Sequence, residues 1–364
     1  MKSKSCAICG SKLIKHGKTK QGKQRWYCQK CKCSSSLTYN NLIKKFNQFI
    51  NWLLHKNTLN EQTIPARTLA RHNDDFWKYW AMPSIYDEQI DVLYIDATFL
   101  KRSACVLIAR TDKHVINWYV ARSENSNSWK AMLMRTPKPK VVVTDGSNGI
   151  LKALNEIWPD VIIQRCTYHV QMQIIRCTTN NPKLTAGKEL LVLAKLLGKI
   201  KTYEQALYWI DAYFDWAGKW EGFLKEKSRD ENGEWTYKHR QLRKARRAIK
   251  NVLRTDTLFS YVNPINSFDF KIPSTNNKIE GGVNSQLKNM LRHHRGMPLE
   301  HRVKAIFWWC YYHSPYIEKP AYILKHMPTD SDIEAIYMSI NQEEKASSEI
   351  EQWGDAIVWS EFQA

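Results

Sequence analysis

The sequence predicts an α/β protein: a mixed-sheet core interrupted by an all-helical insertion, preceded by a small cysteine-rich module and a short helical region. Three observations predict it. Five of the nine cysteines fall within residues 6–33. Between residues 92 and 164, short runs rich in β-branched and aromatic residues alternate with stretches of helical periodicity. From roughly 183 to 262 the apolar spacing is helical, with no strand signal.

At 364 residues the chain is long enough for about two or three domains. Hydrophobic residues make up 43% and aromatics 12%, which excludes general disorder. Lys and Arg number 55 against 35 Asp and Glu, a formal charge of +20, so a polyanion, with nucleic acid first, is the expected partner. The charge is uneven. Residues 1–60 hold 13 bases and no acid, whereas 328–364 hold nine acids and the single base Lys345. No run of 18 apolar residues suggests a membrane span, and the first residues carry charge without the apolar stretch of a signal peptide. A reducing, cytoplasmic setting is expected.

Cys6-x2-Cys9, an 18-residue gap and Cys28-x2-Cys31 have the spacing of a four-thiolate zinc site. Each pair can place two sulfurs on one tetrahedral ion, and Gly10 follows the first pair where a tight turn would need it. Cys33 and His16 lie close enough in sequence to replace one ligand. About 35 residues cannot bury a core alone, so a structural Zn²⁺ would supply the folding energy. Lys12, Lys15, Lys18, Lys20, Lys23 and Arg25 then make the ribbon basic.

Beyond a Ser34-Ser35-Ser36 linker, Leu42, Phe46, Phe49, Ile50, Leu53 and Leu54 recur at helical spacing. A break around Asn57–Thr63 leads to a second helix, with Pro65 suited to its first position and Arg67 and Arg71 on it. Two helices and a short turn fit a helix-turn-helix reader of DNA, and equally a plain helical hairpin with a solvated basic face. Strands are then expected at Val92–Phe99, Ala104–Ala109 and Val115–Val120, as an antiparallel meander. A helix (Ser126–Arg135), a strand (Lys140–Asp145), a helix (Gly149–Ile157) and a strand (Val161–Gln164) follow, giving a mixed sheet.

The insertion reads as amphipathic helices at Leu190–Leu197, Tyr203–Phe214 and Lys238–Leu253. The last has an apolar stripe of Leu242, Ala245, Ile249 and Val252. Its other faces carry Lys238, Arg240, Arg243, Lys244, Arg246, Arg247 and Lys250 without an acid. Such a run is usually a solvated face, but this much uncompensated charge favours a nucleic-acid contact.

Three carboxylates stand out. Asp96 interrupts the apolar run Leu93–Leu100, where an unpartnered carboxylate is expensive; a satisfied core Asp is the plain alternative. Asp145 ends Val-Val-Val-Thr, where Asp-Gly is also ordinary turn punctuation, although ligand sites favour the carboxyl ends of strands. Glu280 opens a helix continuing through Leu287 and Leu291, and Asn277-x-x-Glu280 could be only a capping box. Gly281-Gly282 weaken that first turn, which suggests close approach of another backbone or a ligand. Lys288, Arg292 and Arg295 follow on the same helix, placed to meet a nucleic-acid backbone.

Asp96-Ala-Thr, Thr144-Asp-Gly, Arg165-Cys-Thr-Tyr-His169, Asn276-Asn-Lys-Ile-Glu-Gly-Gly-Val-Asn284, Leu291-Arg-His-His-Arg-Gly296 and Phe307-Trp-Trp-Cys310 together carry a resemblance. The chain resembles DDE transposases with an RNase H-like (retroviral integrase-like) core, and more closely the bacterial Mutator-type (MULE-like) insertion-sequence transposases in their zinc-binding branch. The resemblance spans about residues 1–320, with the Glu280 block its most specific part. It implies a catalytic triad of Asp96, Asp145 and Glu280 holding two Mg²⁺ (or Mn²⁺), and a supporting role for Cys166 and His169. It also implies binding of terminal inverted repeats in double-stranded DNA, strand cleavage and strand transfer, and at least a homodimer to hold two ends.

On that reading the chain divides into a zinc ribbon (1–36), a helical DNA-binding domain (37–85), a first part of the core (86–182), the insertion (183–265), a second part of the core (266–327) and an acidic tail (328–364). Trp308 and Trp309 read as core. Two alternatives are a zinc-ribbon regulator with an inactive core and an RNase H-like structure-specific nuclease. The intact triad opposes the first; the separate reader and the long insertion oppose the second.

Overall fold

The computed structural model of the chain describes residues 5, 6, 9, 11–55 and 65–343. Three short strands, β1 (Ile14–Lys18), β2 (Gln24–Cys28) and β3 (Cys33–Ser35), form an antiparallel sheet in that order. The β1–β2 turn is closed by Thr19 and Lys23, with Gly22 at φ +77°, where an L side chain would be strained. Helices α1 (Leu37–Leu54) and α2 (Ala66–Asp74) follow. Pro65 is the residue preceding α2, not its first turn, and its carbonyl accepts the N–H groups of Thr68 and Leu69. The expected helix-turn-helix break at Asn57–Thr63 lies outside the described residues.

The central sheet has five strands in the order β6-β5-β4-β7-β8. β4 (Val92–Leu100), β5 (Ala104–Arg110) and β6 (Val115–Ala121) are the antiparallel meander that the sequence predicts. β7 (Val141–Thr144) and β8 (Ile162–Arg165) add parallel to β4, because α3 (Ser126–Leu133) and α4 (Asn148–Ile157) carry the chain back each time. Side chains alternate between the faces. Leu93, Ile95, Leu107, Tyr119 and Val142 pack under Trp129, Met132, Ile150 and Leu154 of α3 and α4. Tyr94, Val106, Ile108, Trp118 and Val143 pack instead against α11 (Leu299–Tyr312), with Phe307 and Trp308 fully buried. Phe46, Phe49 and Leu53 of α1 join this second core, so the helical segment at 37–85 packs together with the sheet.

The insertion has its own core. α5 (Thr167–Thr178), α6 (Thr185–Leu197), α7 (Tyr203–Lys219) and α9 (Arg240–Arg254) enclose Ile174, Leu190, Trp209, Tyr213 and Ile249. α5 has no counterpart in the helices expected from periodicity, and it brings the edge of this core to residue 170. The stretch also contains strands, contrary to expectation. After the short helix α8 (Glu221–Lys225), β9 (Lys227–Arg229) pairs with β10 (Trp235–Tyr237). Gly233 at φ +80° and the Asp230 carboxylate, which accepts the N–H groups of Asn232 and Glu234, shape the turn. Three-residue strands are too short for a period-2 signal.

The chain returns along the outer edge of β8. Arg165 N–H donates to Thr257 O (2.7 Å), and the Gln164 side chain ties to Leu258 O and Tyr261 N–H. An edge that would otherwise present bare backbone is thereby covered. The expected α-helix at Glu280 begins differently. Lys278–Asn284 winds as a π-helix, and only Ser285–His293 is a regular α-helix, α10. Two glycines in the opening turn lower the cost of the wider winding.

The acidic tail is docked at its start. Trp80 N–H donates to Pro328 O (2.8 Å) and Asp330 N–H to Lys78 O (2.9 Å), leading into α12 (Pro320–His326) and α13 (Asp330–Glu343) on either side. Asp330 also accepts from Trp80 Nε1 and pairs with the fully buried Lys304 at 2.5 Å, which Glu300 contacts too. Residues 344–364 of the tail lie outside the described residues.

Two measurements check this account. Breaking a buried pair costs about 3–5 kcal/mol, less where a partner is half exposed as Asp330 is. Asp330→Asn should therefore lower unfolding stability in urea by about 2 kcal/mol. Burial also holds His294, His301 and His313 below the ordinary histidine range. The unfolded chain then binds more protons than the folded one between those lowered values and about 6.5. Stability should be complete above about pH 7 and fall as pH drops through 6.5. His294→Gln, which keeps a donor for Leu53 O, should flatten that slope in melts between pH 8 and 5.

Candidate active site and metal centre

The four regular cysteines converge. The sulfurs of Cys6, Cys9, Cys28 and Cys31 all lie within 4.8 Å of one another. Cys9 and Cys28 Sγ are 3.5 Å apart, close to the spacing of about 3.8 Å that a tetrahedral ion with sulfur at ~2.3 Å would set. Cys31 N–H donates to Cys28 Sγ (3.4 Å), a bond that stabilises thiolate. The Ser11 hydroxyl and backbone bring the Cys9 thiol down to about 6, while the bond to Cys9 pushes Cys31 up to about 12. Neighbouring thiols compete for one negative charge, and a dication removes the competition. His16 is placed elsewhere, with its ring on Tyr27 at 5.1 Å, and the Cys33 side chain lies outside those described. These four sulfurs are positioned to hold one metal ion.

The parallel register of β4 and β7 pairs Ile95 with Thr144, so Asp96 and Asp145 come next, side by side where β7 ends against the middle of β4. Both follow residues of the face covered by α11, Tyr94 and Val143, so alternation turns them to the same side. Asp96 Oδ1 accepts Ala97 N–H (2.8 Å) and Oδ2 accepts Asn284 Nδ2 (2.9 Å). Asp145 Oδ1 accepts Ser147 N–H (3.1 Å). Both carboxylates are half-buried.

The π-helix bearing Glu280 is fastened to β4 beside them. Asn284 accepts the Thr98 hydroxyl (2.5 Å) while donating to Asp96, and Asn276 Nδ2 donates to Ile95 O (3.2 Å). Arg110 Nη1 donates to Lys278 O (3.0 Å) and lies 3.2 Å from where a Gly282 Cβ would be. The close approach that Gly281-Gly282 suggest is thus an arginine side chain at Gly282. The Glu280 side chain lies outside those described.

Cys166 and His169 sit where β8 turns into α5. Cys166 is fully buried, and its Sγ accepts Asn276 N–H (3.2 Å), while its own N–H donates to Thr144 O (2.8 Å). It therefore joins the strand end that carries Asp145 to the segment that leads to Glu280. Asn284 and Arg165 were not singled out individually by sequence, although each lies within a quoted motif. Asn284, four residues beyond Glu280, returns to Asp96 because the π turn brings it there.

Among the basic residues, Arg67 and Arg71 are exposed on α2, and Lys288, Arg292 and Arg295 are exposed on or just past α10. On α9, Arg247 and Lys250 are exposed and Arg246 is half-buried. Arg243 is engaged within the fold: it lies 3.5 Å over the Tyr237 ring and donates to Leu224 O. Lys238 is paired with Glu226 at 3.4 Å, so the basic run is partly compensated.

Three antiparallel strands extended by two parallel ones, with helices on both faces, are consistent with an RNase H-like core. Residues 92–173, from β4 into α5, match the family model described as the MULE transposase domain. The match includes Asp96, Asp145, Cys166 and His169. None of the curated proteins compared with the chain matches it. Among the described residues, no helix is long and apolar enough to cross a membrane.

Purified protein should carry one zinc per chain by elemental analysis. Cys9→Ser or Cys28→Ser should lose it together with the β1–β3 sheet, whereas His16→Ala should retain it.

Proposed function

We propose that the chain is a DDE transposase of a bacterial insertion sequence in the zinc-binding Mutator-type group, acting on its own terminal inverted repeats. The adjacency of Asp96 and Asp145 where β7 ends beside β4, within the segment that matches the transposase domain, carries this reading. Asp96, Asp145 and Glu280 are the catalytic residues and the ligands of two Mg²⁺ or Mn²⁺ ions. Such ions supply a more acidic attacking water or 3′-hydroxyl and charge stabilisation at the leaving oxygen. Hard carboxylate oxygens suit them, as the thiolates of the ribbon suit Zn²⁺.

The remaining work falls to the chain. Asn284 orients Asp96 by holding one oxygen, and Ser147 N–H holds Asp145. Cys166 keeps the two acid-bearing segments in register, with His169 one helical turn further along. The zinc ribbon (1–36) and the helical region (37–85), with Arg67 and Arg71, would read the repeats. Arg246, Arg247 and Lys250 of the insertion and Lys288, Arg292 and Arg295 of α10 would hold the backbone. Two DNA ends require at least a dimer.

Duplexes carrying the inverted repeats that flank the coding region provide the test. Asp96→Asn, Asp145→Asn and Glu280→Gln should each reduce Mg²⁺-dependent cleavage by at least about a thousandfold with binding retained. Cleavage that survives any one of them sinks the triad. Pre-cleaved ends should be joined to target DNA; cleavage without joining would leave a structure-specific nuclease.

A further inference from the structure

Arg165 closes β8, and the parallel register pairs it with Thr144, one residue before Asp145. Its backbone is held by Thr257 O. Its side chain crosses Gly146 so closely that a Cβ there would lie 2.0 Å from Nε, 2.1 Å from Cδ and 2.3 Å from Cζ. Gly146 also has φ +71°, so glycine is required twice over, for its backbone and for the arginine lying on it. Asp-Gly here is more than turn punctuation: the glycine makes room for a cation.

That cation has little to satisfy it. Nε is buried without a hydrogen-bond partner, and no carboxylate forms an ion pair with Arg165 among the described residues. Burial works against its charge, and the nearby Asp145 only partly offsets this. A desolvated guanidinium is expensive unless an anion completes it. Its planar fork matches the paired oxygens of a phosphate as well as those of a carboxylate, and no carboxylate takes that place among the described residues.

We propose that Arg165, laid over Gly146, is a phosphate-binding residue that receives a non-bridging oxygen of the DNA phosphodiester brought to Asp96 and Asp145. The proposal rests on the transposase reading. Two carboxylates repel a phosphate, so the approach needs positive charge at the same edge. Metal ions held by the carboxylates would supply part of it, and Arg165 is a fixed cation near Asp145.

The experiment compares the full-length protein with Arg165→Gln and Arg165→Lys. Each is first shown to be folded by zinc content and thermal melt. Repeat-end duplexes carry a neutral methylphosphonate at one phosphate at a time around the cleavage position, and affinity is measured without added Mg²⁺. The unsubstituted protein should lose about tenfold at one position. Arg165→Gln should lose about tenfold on ordinary DNA and nothing more when that phosphate is neutralised. Arg165→Lys, which keeps the charge without the fork, should fall between.

Equal losses for Arg165→Gln and the unsubstituted protein at every position overturn the proposal, as does ordinary affinity of Arg165→Gln for unmodified DNA. Should Arg165→Gln fail to fold, Arg165→Lys carries the same comparison. Surviving cleavage in Asp96→Asn would instead sink the transposase reading, whatever this binding comparison gave.

Discussion

Two like charges held on neighbouring strands are the constraint around which this molecule is arranged. Parallel strands lie about 4.8 Å apart, and unit charges at about 5 Å repel by about 3 kcal/mol at an effective dielectric of 20. The register of β4 and β7 nonetheless places Asp96 beside Asp145. A fold does not keep such a pair without compensation. Here backbone N–H groups, the Asn284 amide and the Arg165 guanidinium all gather at the same edge.

The compensation comes from distant sequence. Asn284 lies 188 residues from Asp96, and Asn276 lies 110 residues from Cys166. Between the two parts of the core the chain builds a helical body with its own apolar interior. That body stabilises itself and leaves the return segment free to lie across β8. The buried sulfur of Cys166 and the side chain of Gln164 then fix where the segment crosses. A strand-end cysteine thus has a geometric task that neither thiol reactivity nor metal binding requires.

The ribbon follows a different economy. Its three strands bury few apolar side chains, and four sulfurs within 4.8 Å take the place of a core. The larger body relies on tryptophan and phenylalanine, with α1 packed against α11 and the sheet. Lys304 is the exception in that interior, and the docked start of the acidic tail supplies one of its counter-charges. Part of the acidity beyond residue 328 is therefore structural.

Local pattern determined the meander, the parallel strands, three insertion helices and the four-sulfur cluster. Each depends on a period of two, on helical spacing or on the reach of a Cys-x-x-Cys turn, all of which are written within a few residues. The two acids were also legible, Asp96 as an interruption of an apolar strand and Asp145 as the residue that follows one. Tertiary structure alone decided the π winding at Glu280, the hairpin within the insertion, the engagement of Arg243 with Tyr237 and the place of Arg165 over Gly146. Those features are set by which side chain meets which once elements pack, from Arg243 on Tyr237 within the insertion to Asn284 on Asp96 across 188 residues. Sequence spacing carries no record of such meetings until the chain has folded.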